Sequence, residues 1–70
     1  MTESVYKVIE LIGTSKDSWE RAAAVALERA GQSLRDLRVA EVVEFDLQLS
    51  PMGKIEAYRT KLSVSFKYED

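Results

Sequence analysis

Residues 38–68, RVAEVVEFDLQLSPMGKIEAYRTKLSVSFKY, read as two long strands joined by a tight turn. Both segments are rich in β-branched and aromatic residues. Between them, Ser50-Pro51-Met52-Gly53 places Pro early and Gly last, the composition of a type I turn. In residues 55–68, Tyr58, Thr60, Leu62, Val64, Phe66 and Tyr68 share one face. Arg59, Lys61, Ser63, Ser65 and Lys67 form the other, polar face. Strict alternation in residues 38–49 groups Val39, Glu41, Val43, Phe45, Leu47 and Leu49 against Arg38, Ala40, Val42, Glu44, Asp46 and Gln48. So short a turn makes the pair an antiparallel hairpin.

Upstream, residues 4–12 (SVYKVIELI) read as another strand, with Val5, Lys7, Ile9 and Leu11 on one face and Tyr6, Val8, Glu10 and Ile12 on the other. The GTSKDS stretch that follows reads as a break. Asp17 or Ser18 is placed to cap a helix, and Asp17 with Glu20 partly matches a capping box. The helix is expected to reach residue 33 or 34. Trp19, Ala22, Ala23, Ala26, Leu27, Ala30 and Leu34 form its apolar stripe, and the alanines let it lie close to a sheet. The expected fold is α+β: a single domain, 1–70, of order β-α-β-β, with a three-stranded antiparallel sheet wrapping one helix. Strand order within the sheet is left open.

One helix of about four turns cannot cover both faces of the first strand and the apolar faces of two more. Apolar strand surface left over in so small a chain points to partner subunits. Disulfides are excluded, because the chain has no cysteine, and it has no histidine for metal binding or general-base work. A net charge of −2 argues against nucleic acid as a main partner. The chain contains no apolar run long enough to span a membrane and no signal-peptide pattern, so a cytoplasmic location is expected.

The phrases VYKVIELIGTS, SWERAA, RAGQSLRDL, VAEVVEFD and GKIEAYRTKLSVSFKYE, taken in order, resemble the dodecins over residues 5–69. The resemblance implies β-α-β-β subunits assembled as twelve copies into a hollow shell. In many members that shell holds flavin at subunit interfaces, for storage and protection rather than catalysis. The family's stacking tryptophan position falls on Val39, which has no aromatic face. Its flavin-binding glutamine position, after a tyrosine in the third strand, falls on Arg59, which donates but cannot accept. A basic position late in the second strand falls on Asp46, which would repel a phosphate. The run SWERAAAVALERAGQSLRDLRVAEVVE is similar to the calcium dodecin branch, whose name implies Ca²⁺ binding.

Calcium takes about six to eight oxygen ligands. Glu44 and Asp46, two residues apart on one side of a strand, are the first-choice ligands, with Glu10 and Glu41 behind them. Symmetry would have to gather copies of them, because no segment has EF-hand spacing. The simpler reading of these carboxylates is a solvated face or interchain pairing with Arg38, Arg59 or Lys61, and Arg59 and Lys61 could equally neutralise Glu44 and Asp46 across the hairpin. Trp19 reads as a packing or interface anchor rather than a relocated flavin platform. Thr14, Ser15 and Ser18 have no identifiable base and carry no nucleophile reading. Lys7, Lys67 and Glu69 receive no role. The expected function is a non-catalytic, homododecameric binding or storage protein that has lost the flavin site and takes up calcium or another divalent cation. Val39, Val43, Phe45, Leu47, Tyr58 and Phe66 are the residues expected to carry assembly. The alternative is a flavin-binding dodecin that stores riboflavin or FMN. An enzyme would need acid–base work from a site the sequence does not locate.

Overall fold

The computed structural model describes residues 3–67; Tyr68 and Glu69 lie outside the described residues. The order is β1 (Tyr6–Ser15), α1 (Trp19–Ser33), β2 (Leu37–Leu49) and β3 (Ile55–Lys67). The sheet runs β1-β3-β2 and both pairings are antiparallel. The last strand is therefore central and both earlier strands are edges.

β1 runs three residues beyond the expected break: Gly13, Thr14 and Ser15 pair with Thr60, Arg59 and Tyr58. Gly13 belongs in the strand because α1 crosses directly over it. A Cβ there would lie 2.0 Å from the Ala22 carbonyl oxygen and 3.0 Å from the Ala26 Cβ. Ala22, Ala26 and Ala30 are the buried residues of α1, and they bring the helix down on the sheet. Ser18, not Asp17, caps the helix, its Oγ accepting from the Arg21 N–H at 2.9 Å. The residue three beyond the cap is thus Arg21, and the Asp17–Glu20 capping box does not form. Asp17 instead donates its backbone N–H to Ser15 Oγ.

Leu34 ends the helix with its N–H bonded to the Ala30 carbonyl. The chain turns into β2 through Asp36, whose φ of 58° is the left-handed region that Asp tolerates better than most residues. At the hairpin, the Gly53 N–H donates to the Ser50 carbonyl, and Gly53 has a φ of 81°. Ser50 Oγ accepts from the N–H groups of Met52 and Lys54, which holds the turn closed.

The even positions of β3 form the core, as their alternation indicates: Thr60, Leu62 and Val64 are fully buried. Ile9 and Leu11 of β1 and Ala23 and Leu27 of α1 pack on that core. The expected faces of β2 need correction. Ladder irregularities at Arg38, at Val43 and near Leu49 interrupt the alternation. Ahead of Val43, Ala40 and Val42 lie opposite buried Val64 and Leu62; beyond it, Phe45 and Leu47 lie opposite Thr60 and Tyr58. Directly opposed residues share a sheet face. Ala40, Val42, Phe45 and Leu47 therefore face the helix side, whereas Val39 and Glu41 face the far side with Glu44 and Asp46. A β-bulge adds one residue and so reverses the alternation after it.

The helix covers β1 and β3 but leaves β2 open, and every residue from Arg38 to Leu49 is exposed. The molecule measures 55 × 20 × 16 Å, with a radius of gyration of 14.5 Å. A compact chain of this length has a radius of about 11 Å. The accessible surface is 5462 Å². A compact monomer of this mass exposes about 4,400 Å².

Candidate functional site

The far face of the sheet gathers the polar residues singled out in the sequence. Asp46 and Arg59 are directly opposed on β2 and β3. Arg59 Nε donates to Asp46 Oδ1 at 2.7 Å and its Nη2 donates to Oδ2 at 2.9 Å. Such a forked pair engages both carboxylate oxygens. It realises the pairing read across the hairpin, within one chain. The hydrogen bonds from Arg59, reinforced by its charge, hold the Asp46 carboxyl below the usual carboxylate range. The same bonds raise the guanidinium of Arg59 further.

Lys61 is opposed to Glu44 in the ladder, yet its Nζ lies 3.6 Å from Glu10 on β1. Alternation along β2 alone cannot reveal this, because the central place of β3 sets Lys61 between two edge-strand carboxylates. Within the chain, Arg38 lies 3.6 Å from Asp36 at the strand entry.

Behind Asp46, on the helix side, Trp19 fixes the start of α1 to the hairpin. Its Nε1 donates to the Asp46 carbonyl at 3.1 Å, and Thr60 Oγ1 donates to the Trp19 carbonyl at 2.9 Å. The indole meets Phe45 and Tyr58 edge to face, with centroids 5.5 and 5.1 Å apart. Trp19 is a packing anchor. The two faces of β2 thus converge on one residue: Asp46 accepts from the indole through its backbone and from Arg59 through its side chain.

Val39, where the resemblance places a stacking residue, is 60 % exposed on the far face and opposed to Ser65. Arg59 stands six residues along β3 from Ser65, about 20 Å away at strand rise. One chain does not bring Val39 and Arg59 together; a ligand touching both positions would take them from different copies. The same holds for a cation. Glu44 and Asp46 share the far face at neighbouring positions, but among the described residues no group of three or more His, Cys, Asp or Glu lies together. Both Asp46 oxygens already accept from Arg59. A hard cation wanting about six to eight oxygens would need carboxylates from several copies.

Comparison with known proteins accords with this architecture. The Dodecin family model matches residues 5–69. This chain belongs to the dodecin family. The calcium dodecin of Mycobacterium tuberculosis is 59 % identical over 64 residues, covering 91 % of this dodecin and 89 % of that protein. A crystal structure of that calcium dodecin, described as a calcium-chelating antigen with a novel calcium-binding site, matches with a TM-score of 0.83 at 57 % identity. The match covers 94 % of this chain and 93 % of that one. The dodecin of Streptomyces coelicolor matches with a TM-score of 0.91 at 33 % identity, over 100 % and 99 % of the two chains. Among the described residues, no helix is long and apolar enough to cross a membrane.

Proposed function

We propose that this dodecin is a non-catalytic, self-assembling binding protein of twelve copies, cytoplasmic, that has given up flavin and takes up calcium or a similar divalent cation. One observation carries the self-assembly: the chain exposes about 1,000 Å² more than a compact monomer of its mass. A standard interface buries about 800 Å² per partner, so a lone copy keeps at least one interface worth of surface uncovered. Val39, Val43, Phe45 and Leu47 lie on that surface.

Loss of flavin rests on Val39 and on the Arg59–Asp46 pair. Valine offers no face to an isoalloxazine ring. Arg59 has no acceptor for the flavin edge, and two of its donors are committed to Asp46. The calcium reading rests on the relative named calcium dodecin and on the far-face carboxylates of Glu41 and Glu44, unpaired among the described residues. Twelve chains at −2 each total −24, which favours cations around the assembly. Glu44 is the proposed ligand with the freer carboxylate; Asp46 would join it through the lone pairs that its bonds to Arg59 leave open. Both contribute only when copies meet.

Titration of the purified protein with riboflavin and, separately, with Ca²⁺ tests the reading. Heat of Ca²⁺ binding that disappears in Glu44→Gln, with riboflavin fluorescence unchanged, supports it. Strong quenching of riboflavin at low protein excess overturns it in favour of flavin storage.

A further inference from the structure

The edge of the sheet remote from β2 carries a groove of about 560 Å³ between β1 and α1. Leu11, Val25, Ala26, Ala30 and Leu34 give it apolar walls, and Arg29 stands at its rim. Arg29 is exposed and has no ion-pair partner among the described residues. The opposite edge carries a matching feature. On β2, Glu41 also lacks an ion-pair partner among the described residues and is set among exposed Val39, Val42 and Val43. A strand with carboxylates unpaired among the described residues at Glu41, within its valine-rich first half, and at Glu44 thus faces outward on one edge, and an apolar groove with an unpaired guanidinium opens on the other.

We propose that β2 of a second copy seats in the β1–α1 groove, with Glu41 of one copy against Arg29 of the next. The inference rests on the self-assembly reading and adds to it the two surfaces that meet. The occupant is another copy because the charges complement each other and the uncovered area matches what an interface needs. Groove and strand lie on opposite edges of the sheet, so a chain cannot fill its own groove. Two different surfaces meeting head to tail make a heterologous contact, which passes from copy to copy and forms a ring where the rotation between copies closes.

The test uses three full-length variants, Arg29→Glu, Glu41→Arg and the double exchange, compared with wild type by sedimentation velocity over a dilution series with chelator present. Both positions are exposed, so the fold should survive, and circular dichroism checks that it does. Each single variant is expected to raise the concentration of half-dissociation about tenfold or more, through like charges facing each other. The double exchange, which restores opposite charges, is expected to bring it back to within about threefold of wild type. A single variant that assembles as tightly as wild type overturns the inference, as does a double exchange no better than the worse single variant; in both cases self-assembly itself still stands. A wild-type chain that sediments as a monomer defeats the self-assembly reading and this inference together.

Discussion

Arg59 grips both carboxylate oxygens of Asp46 across the β2–β3 hairpin, at 2.7 and 2.9 Å. The pair sits where the dodecin resemblance places a flavin-edge residue and a late basic residue. Opposite charges at these two positions turn them toward each other.

Replacing Arg59 with Gln is expected to let the Asp46 carboxyl rise back toward its ordinary value, read by NMR titration of its side-chain carbon. The sign for stability follows from linkage. A carboxyl held low in the folded state stabilises above its unfolded value of 3.8, and that contribution is lost as pH falls through the lower folded value. The stability difference between wild type and Arg59→Gln is therefore expected to be largest near neutral pH and to shrink in acid. A difference that does not vary with pH contradicts the assignment.

Gly13→Ala is expected to destabilise the protein by about 3 kcal/mol or more, because the added methyl meets helix backbone that has no room to yield. Gly31→Ala is expected to stabilise it by up to about 1 kcal/mol, since nothing lies within 4 Å and the position is helical. Urea denaturation at one fixed protein concentration measures both, and equal effects of the two substitutions would refute the close crossing of α1 over β1.

Thr60→Val removes the hydroxyl that bonds the Trp19 carbonyl in a fully buried position. It is expected to cost about 1–2 kcal/mol. Trp19→Phe keeps an aromatic ring near Phe45 and Tyr58 but drops the bond to the Asp46 carbonyl, at a cost of about 1 kcal/mol. If both substitutions are silent in urea denaturation, the helix start is not anchored through Trp19.

Val39→Trp combined with Arg59→Gln restores the two residue types that the family resemblance places in a flavin site. Riboflavin quenching is expected in the double variant and not in wild type. A double variant as inert as wild type would show that other positions exclude flavin.

Much of this architecture was legible from residue periodicity. The even positions of β3 alternate without interruption from Tyr58 to Phe66, and they line the core as that pattern requires. That Arg59 and Lys61 could neutralise Glu44 and Asp46 across the hairpin was legible too, but which partner each takes depends on a ladder irregularity near Leu49 and on the central place of β3. The faces of β2 did not, because an extra residue at Val43 looks like any other valine until the ladder shows it unpaired. Gly13 misled for a related reason. Glycine followed by polar residues is a turn signal, and only the helix above it reveals why the strand needs a residue without a side chain. The choice of Ser18 over Asp17 as cap was also closed to sequence, since neighbouring residues of equal capping ability differ only in backbone geometry. The cation site is the least legible part, because carboxylates gathered from several chains leave no spacing in one.

The most direct test of the central claim is the mass of the protein in dilute buffer, by sedimentation equilibrium or native mass spectrometry. Twelve copies of the 7.9 kDa chain, about 95 kDa, is the expected result. A folded, stable single chain of 7.9 kDa would contradict it, since the open surface of β2 would then need no partner.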